Sequence, residues 1–76
     1  MKLELYTRPT CPYCVLVTNV IDELGIDVEM HDIGKNPADR ERLIAVGGKQ
    51  QVPCRFINGK PMYESADIIA WLRANQ

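Results

Sequence analysis

The feature that most constrains this chain is a change of hydrophobic period near its start. Lys2, Leu3, Glu4, Leu5 and Tyr6 alternate charged and apolar residues, as a short half-buried strand does. The breaker cluster Thr7-Arg8-Pro9-Thr10 follows. From Pro12 the apolar residues recur at helical spacing, with Val17, Val20, Ile21 and Leu24 on one face and Gly25 as the stop. Ile26 to Ile33 then reads as a second strand, Ile26, Val28 and Met30 alternating with Asp27, Glu29 and His31. A strand, a helix and a second strand form a crossover unit. Its right-handedness makes the two strands parallel neighbours.

The rest of the chain adds to that unit. Asn36-Pro37 caps a second helix, a weakly patterned one carrying Leu43, Ile44 and Val46 and ending at Gly47-Gly48. Arg55-Phe56-Ile57, Asn58-Gly59 and Lys60-Pro61-Met62-Tyr63 read as a hairpin, because Asn-Gly suits the tight turn between antiparallel strands. Pro61 cannot donate to a ladder, which puts the last strand at an edge. Ser65 is expected to cap a final helix with a core stripe of Ile68, Ile69 and Leu72. The fold class is therefore α/β, in the order βαβ-α-ββα, with a four-stranded mixed sheet flanked by helices. Residues 1–76 are expected to form a single domain. At that length folding buries about 60% of the unfolded chain's surface, enough for a small core.

Several classes of function are excluded at this stage. Nine Lys+Arg against ten Asp+Glu give a net charge of -1, and no block of like charge offers a footprint for nucleic acid or an anionic membrane. No apolar run is long enough to cross a bilayer, and Met1-Lys2-Leu3-Glu4 puts an acid where a signal peptide's apolar segment would begin. The three cysteines are an odd set, which argues against a secreted disulfide framework. A soluble protein of a reducing compartment, the cytoplasm, is expected.

In such a compartment the thiols point to catalysis or metal binding. Cys11-Pro12-Tyr13-Cys14 sits where the first strand gives way to the first helix. Pro12 suits the first helical position, so Cys11 becomes the N-cap residue. A sulfur there meets unpaired backbone N–H groups and the positive end of the helix dipole, and both favour the reactive thiolate. Arg8 can add positive charge. Cys14, one turn further in, is expected to be more buried, less ionised and hence the resolving thiol. A zinc site would need more ligands than Cys54 and His31 supply, so no metal is expected. His31 is read as a residue of the strand's polar face rather than as a ligand or base, and Trp71 as core or rim packing. Cys54 has two readings: a small partly buried side chain, or a third redox thiol near the first two.

The run from Tyr6 to Cys14, the pair Val52-Pro53 and the segment Tyr63-Glu64-Ser65-Ala66-Asp67-Ile68 resemble glutaredoxins, in the same order and over nearly the whole chain. The resemblance implies the glutaredoxin form of the thioredoxin-like fold and a glutathione-dependent thiol–disulfide oxidoreductase. Cys11 would attack a glutathionylated substrate, and a second glutathione or Cys14 would release the product. It implies a cis Val52-Pro53 bond, with the Val52 backbone pairing with glutathione as an added strand. Ala66 and Asp67 would present backbone N–H groups to the γ-glutamyl carboxylate, and the Asp67 side chain would accept from the amine. Arg8 and Gln51 would reach the glycine carboxylate, while Tyr13 would pack along the ligand.

Tyr63-Glu64-Ser65 stands where many glutaredoxins carry a Gly-Gly pair. Glu64-Ser65 resembles instead the glutathione-binding element of glutathione transferase N-terminal domains, although no helical second domain is expected to follow. By the same resemblance no cofactor is permanently bound, and glutathione is a co-substrate. The partners implied are glutathionylated or disulfide-containing proteins and, indirectly, glutathione reductase, with the chain a monomer. Two alternatives stand beside this reading. One is a donor reduced by thioredoxin reductase and feeding an enzyme such as ribonucleotide reductase. The other is an iron–sulfur cluster carrier.

Overall fold

The computed structural model of the protein describes residues 3–75. Seven elements follow in the expected order: β1 (Leu3–Thr7), α1 (Pro12–Leu24), β2 (Glu29–Asp32), α2 (Pro37–Gly47), β3 (Cys54–Ile57), β4 (Lys60–Met62) and α3 (Ser65–Ala74). Lys2, read as the start of the first strand, lies outside the described residues. The strands form one sheet in the order β2-β1-β3-β4. β1 and β2 are parallel, and β3 runs antiparallel to both β1 and β4. Asn58 and Gly59 both have positive φ, 50° and 85°, as the tight hairpin turn requires. β4 is an edge strand with Pro61 at its centre, opposite Phe56.

Side chains alternate across a strand, so the register decides which residues share a face. Leu3 and Leu5 point to the face covered by α1 and α3, where they pack with Val17, Val20, Ile21, Ile68 and Leu72. Tyr6, Cys54 and Phe56 point to the other face and pack with Ile33 and Leu43, the latter from α2. The sheet thus separates two small cores. In α2, Asn36 Oδ1 accepts from the Ala38 amide at 3.1 Å, as a cap should. Leu43 is that helix's buried residue, whereas Ile44 and Val46 are exposed.

β2 corrects the sequence reading. It starts only at Glu29, and Ile26 and Val28 reach the apolar core from the irregular segment before it. Met30, read as inward-facing, is exposed, while His31, read as polar-face, is half-buried and stacked on Tyr6 with ring centroids 4.5 Å apart. The reason lies in the neighbouring strand. Glu4 is only 1% exposed, and a buried carboxylate has to be paired. Arg42 binds it through both terminal guanidinium nitrogens, at 2.5 and 3.2 Å, and also donates to the Tyr6 hydroxyl. His31 Nε2 lies 3.1 Å from Glu4 and 3.3 Å from Glu29, and its Nδ1 lies 3.1 Å from Asp39. This corner of the second core is a charged network that joins β1, β2 and α2.

The start of α3 is a second correction. Ser65 is not the cap but the first residue of the helix. The capping position belongs to Glu64, at φ 59° and ψ 108°, and its side chain makes no capping bond. The preceding residue is itself anchored. The Tyr63 hydroxyl donates to the Lys49 carbonyl at 3.0 Å and lies so close to Gly47 that any Cβ at that position would collide with it. No helix among the described residues is long and apolar enough to cross a membrane.

Candidate active site

The site is built where β1 ends and α1 begins. Cys11 keeps an extended backbone (φ -91°, ψ 113°) as the N-cap of α1, with Pro12 in the first turn. The Cys14 amide donates to Cys11 Sγ at 3.3 Å, and the Cys11 amide donates to the Arg8 carbonyl at 3.3 Å. The loop therefore delivers one sulfur to the helix N-terminus, where the dipole and an aimed N–H stabilise negative charge developing on it. Cys11 is partly exposed and Cys14 buried, the division expected of attacking and resolving thiols. Burial pushes the Cys14 thiol up to about 12, reinforced by its hydrogen bond to the Cys11 sulfur. At neutral pH Cys14 is therefore a protonated thiol.

A second segment meets the first from across the molecule. The Val52–Pro53 bond is cis, as the resemblance implied, and the Val52 carbonyl lies 3.9 Å from Cys11 Sγ. Beside it opens a cavity of about 330 Å³ lined by Tyr13, Gln51, Val52, Pro53, Glu64 and Ser65. Three stretches far apart in sequence thus converge on one hollow. Of the other expected binding residues, Ala66 and Asp67 occupy the exposed first turn of α3, and Arg8 is exposed in the loop before Cys11. The first intrahelical bond of α3 runs from Ile68 N–H to Glu64 O, so the amides of residues 65–67 have no acceptor within the helix.

The structure places the remaining candidates elsewhere. Cys54 follows Pro53 directly, yet its side chain is fully buried beneath α2, among Tyr6, Phe56 and Leu43. Burial pushes its thiol up to about 11, partly opposed by a hydrogen bond with Tyr63; the other groups acting on it are Met62, Arg55 and Lys49 rather than Cys11 or Cys14. His31 belongs to the Glu4–Arg42 network. Trp71 is half-buried, and the Arg55 guanidinium covers its ring at 4.7 Å. The sequence reading passed over Glu4, Arg42 and Arg55, because strand and helix patterns treat a charged residue as solvent-facing.

Two thiols one helical turn apart, the first capping a helix and facing a cis-proline loop, form a dithiol redox centre on a thioredoxin-like α/β domain. Residues 3–62 match the family model described as Glutaredoxin. "Glutaredoxin 3" of Escherichia coli strain K12 is 32% identical over 69 residues, which cover 91% of this chain and 83% of that protein. "Probable Thioredoxin" of Methanothermobacter marburgensis is 43% identical over 65 residues, covering 78% of this chain and 72% of its own. Among solved structures, that of the thioredoxin-like protein BC3987 superposes with a TM-score of 0.82 at 29% identity, over 93% of this chain and 99% of that one. The chain belongs to the glutaredoxin family. The activity that this family and the site define is thiol–disulfide oxidoreduction.

Proposed function

We propose that the chain reduces glutathionyl mixed disulfides and protein disulfides with glutathione as its electron donor, in a reducing compartment such as the cytoplasm. The observation that carries this is the cavity beside Cys11. It joins the cis-proline loop to the start of α3, so it offers backbone for pairing with a peptide and free amides for a carboxylate. A small γ-glutamyl peptide fits that combination, with its sulfur at Cys11 and its carboxylate at the helix.

In the first step the Cys11 thiolate attacks the glutathionyl sulfur of a mixed disulfide. The new Cys11–glutathione bond forms as the old S–S bond breaks, and the substrate leaves as a thiolate that takes a proton from water. A second glutathione thiolate then attacks the glutathionyl sulfur, freeing Cys11 and giving glutathione disulfide, which glutathione reductase returns to the thiol at the expense of NADPH. In the other branch Cys14 loses its proton and attacks Cys11, releasing glutathione and closing the Cys11–Cys14 disulfide, which two further glutathiones reopen. Glutathione is a co-substrate here and not a resident group.

The deciding assay is NADPH oxidation with glutathione, glutathione reductase and a small glutathione mixed disulfide, run beside thioredoxin reductase without glutathione. Fast turnover in the first system supports the proposal. Turnover with thioredoxin reductase alone would replace it by the second reading, a donor of thioredoxin type, which the likeness to the archaeal "Probable Thioredoxin" favours.

A further inference from the structure

α1 and α3 run side by side away from the redox centre. At their starts Tyr13 and Ser65 line the same cavity beside Cys11, and near their ends Glu23 Oε2 and Arg73 Nη1 form an ion pair at 2.9 Å. Between these two points the facing residues recur at helical spacing: Tyr13, Leu16, Val20 and Glu23 on α1, and Ser65, Ile69 and Arg73 on α3. They do not close over one another. Leu16, Asn19, Val20, Glu23, Ile69 and Arg73 line a second hollow of about 320 Å³, nearly the size of the active-site cavity. Val20 is buried at its floor, Ile69 packs against the first core, and Leu16 stands 52% exposed.

One exposed leucine on a surface requires no explanation. This one lies a turn beyond Tyr13, itself 61% exposed, so the two hollows follow one another along the same pair of helices. The result is a largely apolar trough that starts at the redox centre and ends at a charged pair. Glutathione does not account for it, since the first cavity already gives a tripeptide its place. A polypeptide disulfide brings more chain. Once its cysteine is joined to Cys11, the flanking residues have to leave across the surface, and the trough is apolar ground continuous with the site. From the N-cap of α1 to the middle of the second hollow is about 12 Å of helix. An extended chain covers that distance in about four residues.

We infer that the trough between α1 and α3 is a docking groove for the protein substrate. It receives, in extended form, the segment flanking the reactive cysteine, and seats an apolar side chain about four residues from that cysteine between Leu16 and Ile69. The Glu23–Arg73 pair closes the groove to a longer apolar stretch. The inference goes beyond the glutathione reading, because it concerns the disulfide-bearing chain and holds whichever donor returns the protein to its dithiol form.

The test uses the reduced, intact protein without glutathione. Its substrates are short polar peptides whose single cysteine is joined in a disulfide to a coloured aromatic thiol. The Cys11 thiolate attacks the peptide sulfur, the Cys11–peptide bond forms as the bond to the aryl sulfur breaks, and the aryl thiolate leaves. Cys14 then gives up its proton and displaces the peptide as a thiol, closing the Cys11–Cys14 disulfide. In a series that moves one leucine along the peptide on either side of the cysteine, the second-order rate of aryl thiolate release is expected to peak with leucine about four residues away. There it should exceed the rate of the serine counterpart about tenfold. Leu16→Gln keeps a good helix former at an exposed position, so it should leave the serine peptide's rate unchanged and bring the leucine peptide within about twofold of it. Turnover of the small mixed disulfide of glutathione with cysteine should not change in that variant. Leucine and serine peptides of equal rate at every position overturn the inference, as do a leucine advantage that survives Leu16→Gln and an equal slowing of both peptides by it. A concentration-dependent dimer in sedimentation that Leu16→Gln dissolves would give the groove to a second copy of the chain and overturn it too. None of these outcomes touches the glutathione reading, which the reductase assay decides.

Discussion

Cys11 and Cys14 stand three residues apart and have unequal tasks, because one caps a helix and the other is swallowed by it. The protonated, buried Cys14 cannot compete for the first attack at neutral pH. Cys11→Ser should therefore abolish turnover of every disulfide substrate. Cys14→Ser should keep deglutathionylation and lose reduction of protein disulfides that need the dithiol branch; the two assays run side by side check this. That asymmetry was legible in the sequence, since a proline at the first helical position fixes the cap one residue earlier. The conformation of Glu64 was not. No local pattern announces a positive φ at that position, and a serine next door looked like the better cap. Arg55 escaped notice for a related reason. It is 7% exposed, its Nε has no hydrogen-bond partner, and burial pushes its guanidinium down. Arg55→Met keeps the stem against Trp71 and removes a desolvated charge, so it should raise stability by about 1 kcal/mol in urea unfolding.

At the level of elements, β2 and α2 are tied to β1 by Glu4, Arg42, His31 and Asp39 as well as by apolar burial of Ile33 and Leu43. Removing one partner of a buried ion pair is costly because the other charge stays behind. Arg42→Met should destabilise the protein by about 2 kcal/mol, less than a deeply buried pair would lose, because the Arg42 side chain is 40% exposed and His31 remains beside Glu4. Adding Glu4→Gln should recover part of the loss, and a double-mutant cycle by urea denaturation measures how much. Alternation along β2 correctly announced two unlike faces. It could not announce which one meets the protein, because that depends on a carboxylate one strand away and an arginine in the next helix. The helices and the hairpin were easier to read, as caps, glycine stops and the Asn58-Gly59 turn are local in sequence.

On the scale of the whole molecule, several buried groups tie stability to pH in one direction. The Cys54 thiol is pushed from its ordinary 9.0 up to about 11, and burial also raises Tyr6 and Tyr63. Between those two values the unfolded chain has lost the Cys54 proton and the folded chain still holds it. Stability is therefore intact below about pH 9 and declines as pH rises toward about 11. The thermal midpoint should be level from neutral pH to about 8.5 and then fall, with a shallower fall in Cys54→Ala even though that variant starts lower.

The short β4 strand has a last consequence, for the company this chain can keep. A sheet rim with free N–H and C=O groups is a template on which other chains zip together. β4 spans three residues and has a proline at its centre, flanked by the charged Lys60, so that rim lacks one of the donors an added strand would need. β2, at the opposite rim, is four residues long and carries Glu29, His31 and Asp32. Short, proline-broken and charged rims give a 76-residue chain with a modest core a defence against fibril growth, even when it is crowded or caught half-folded.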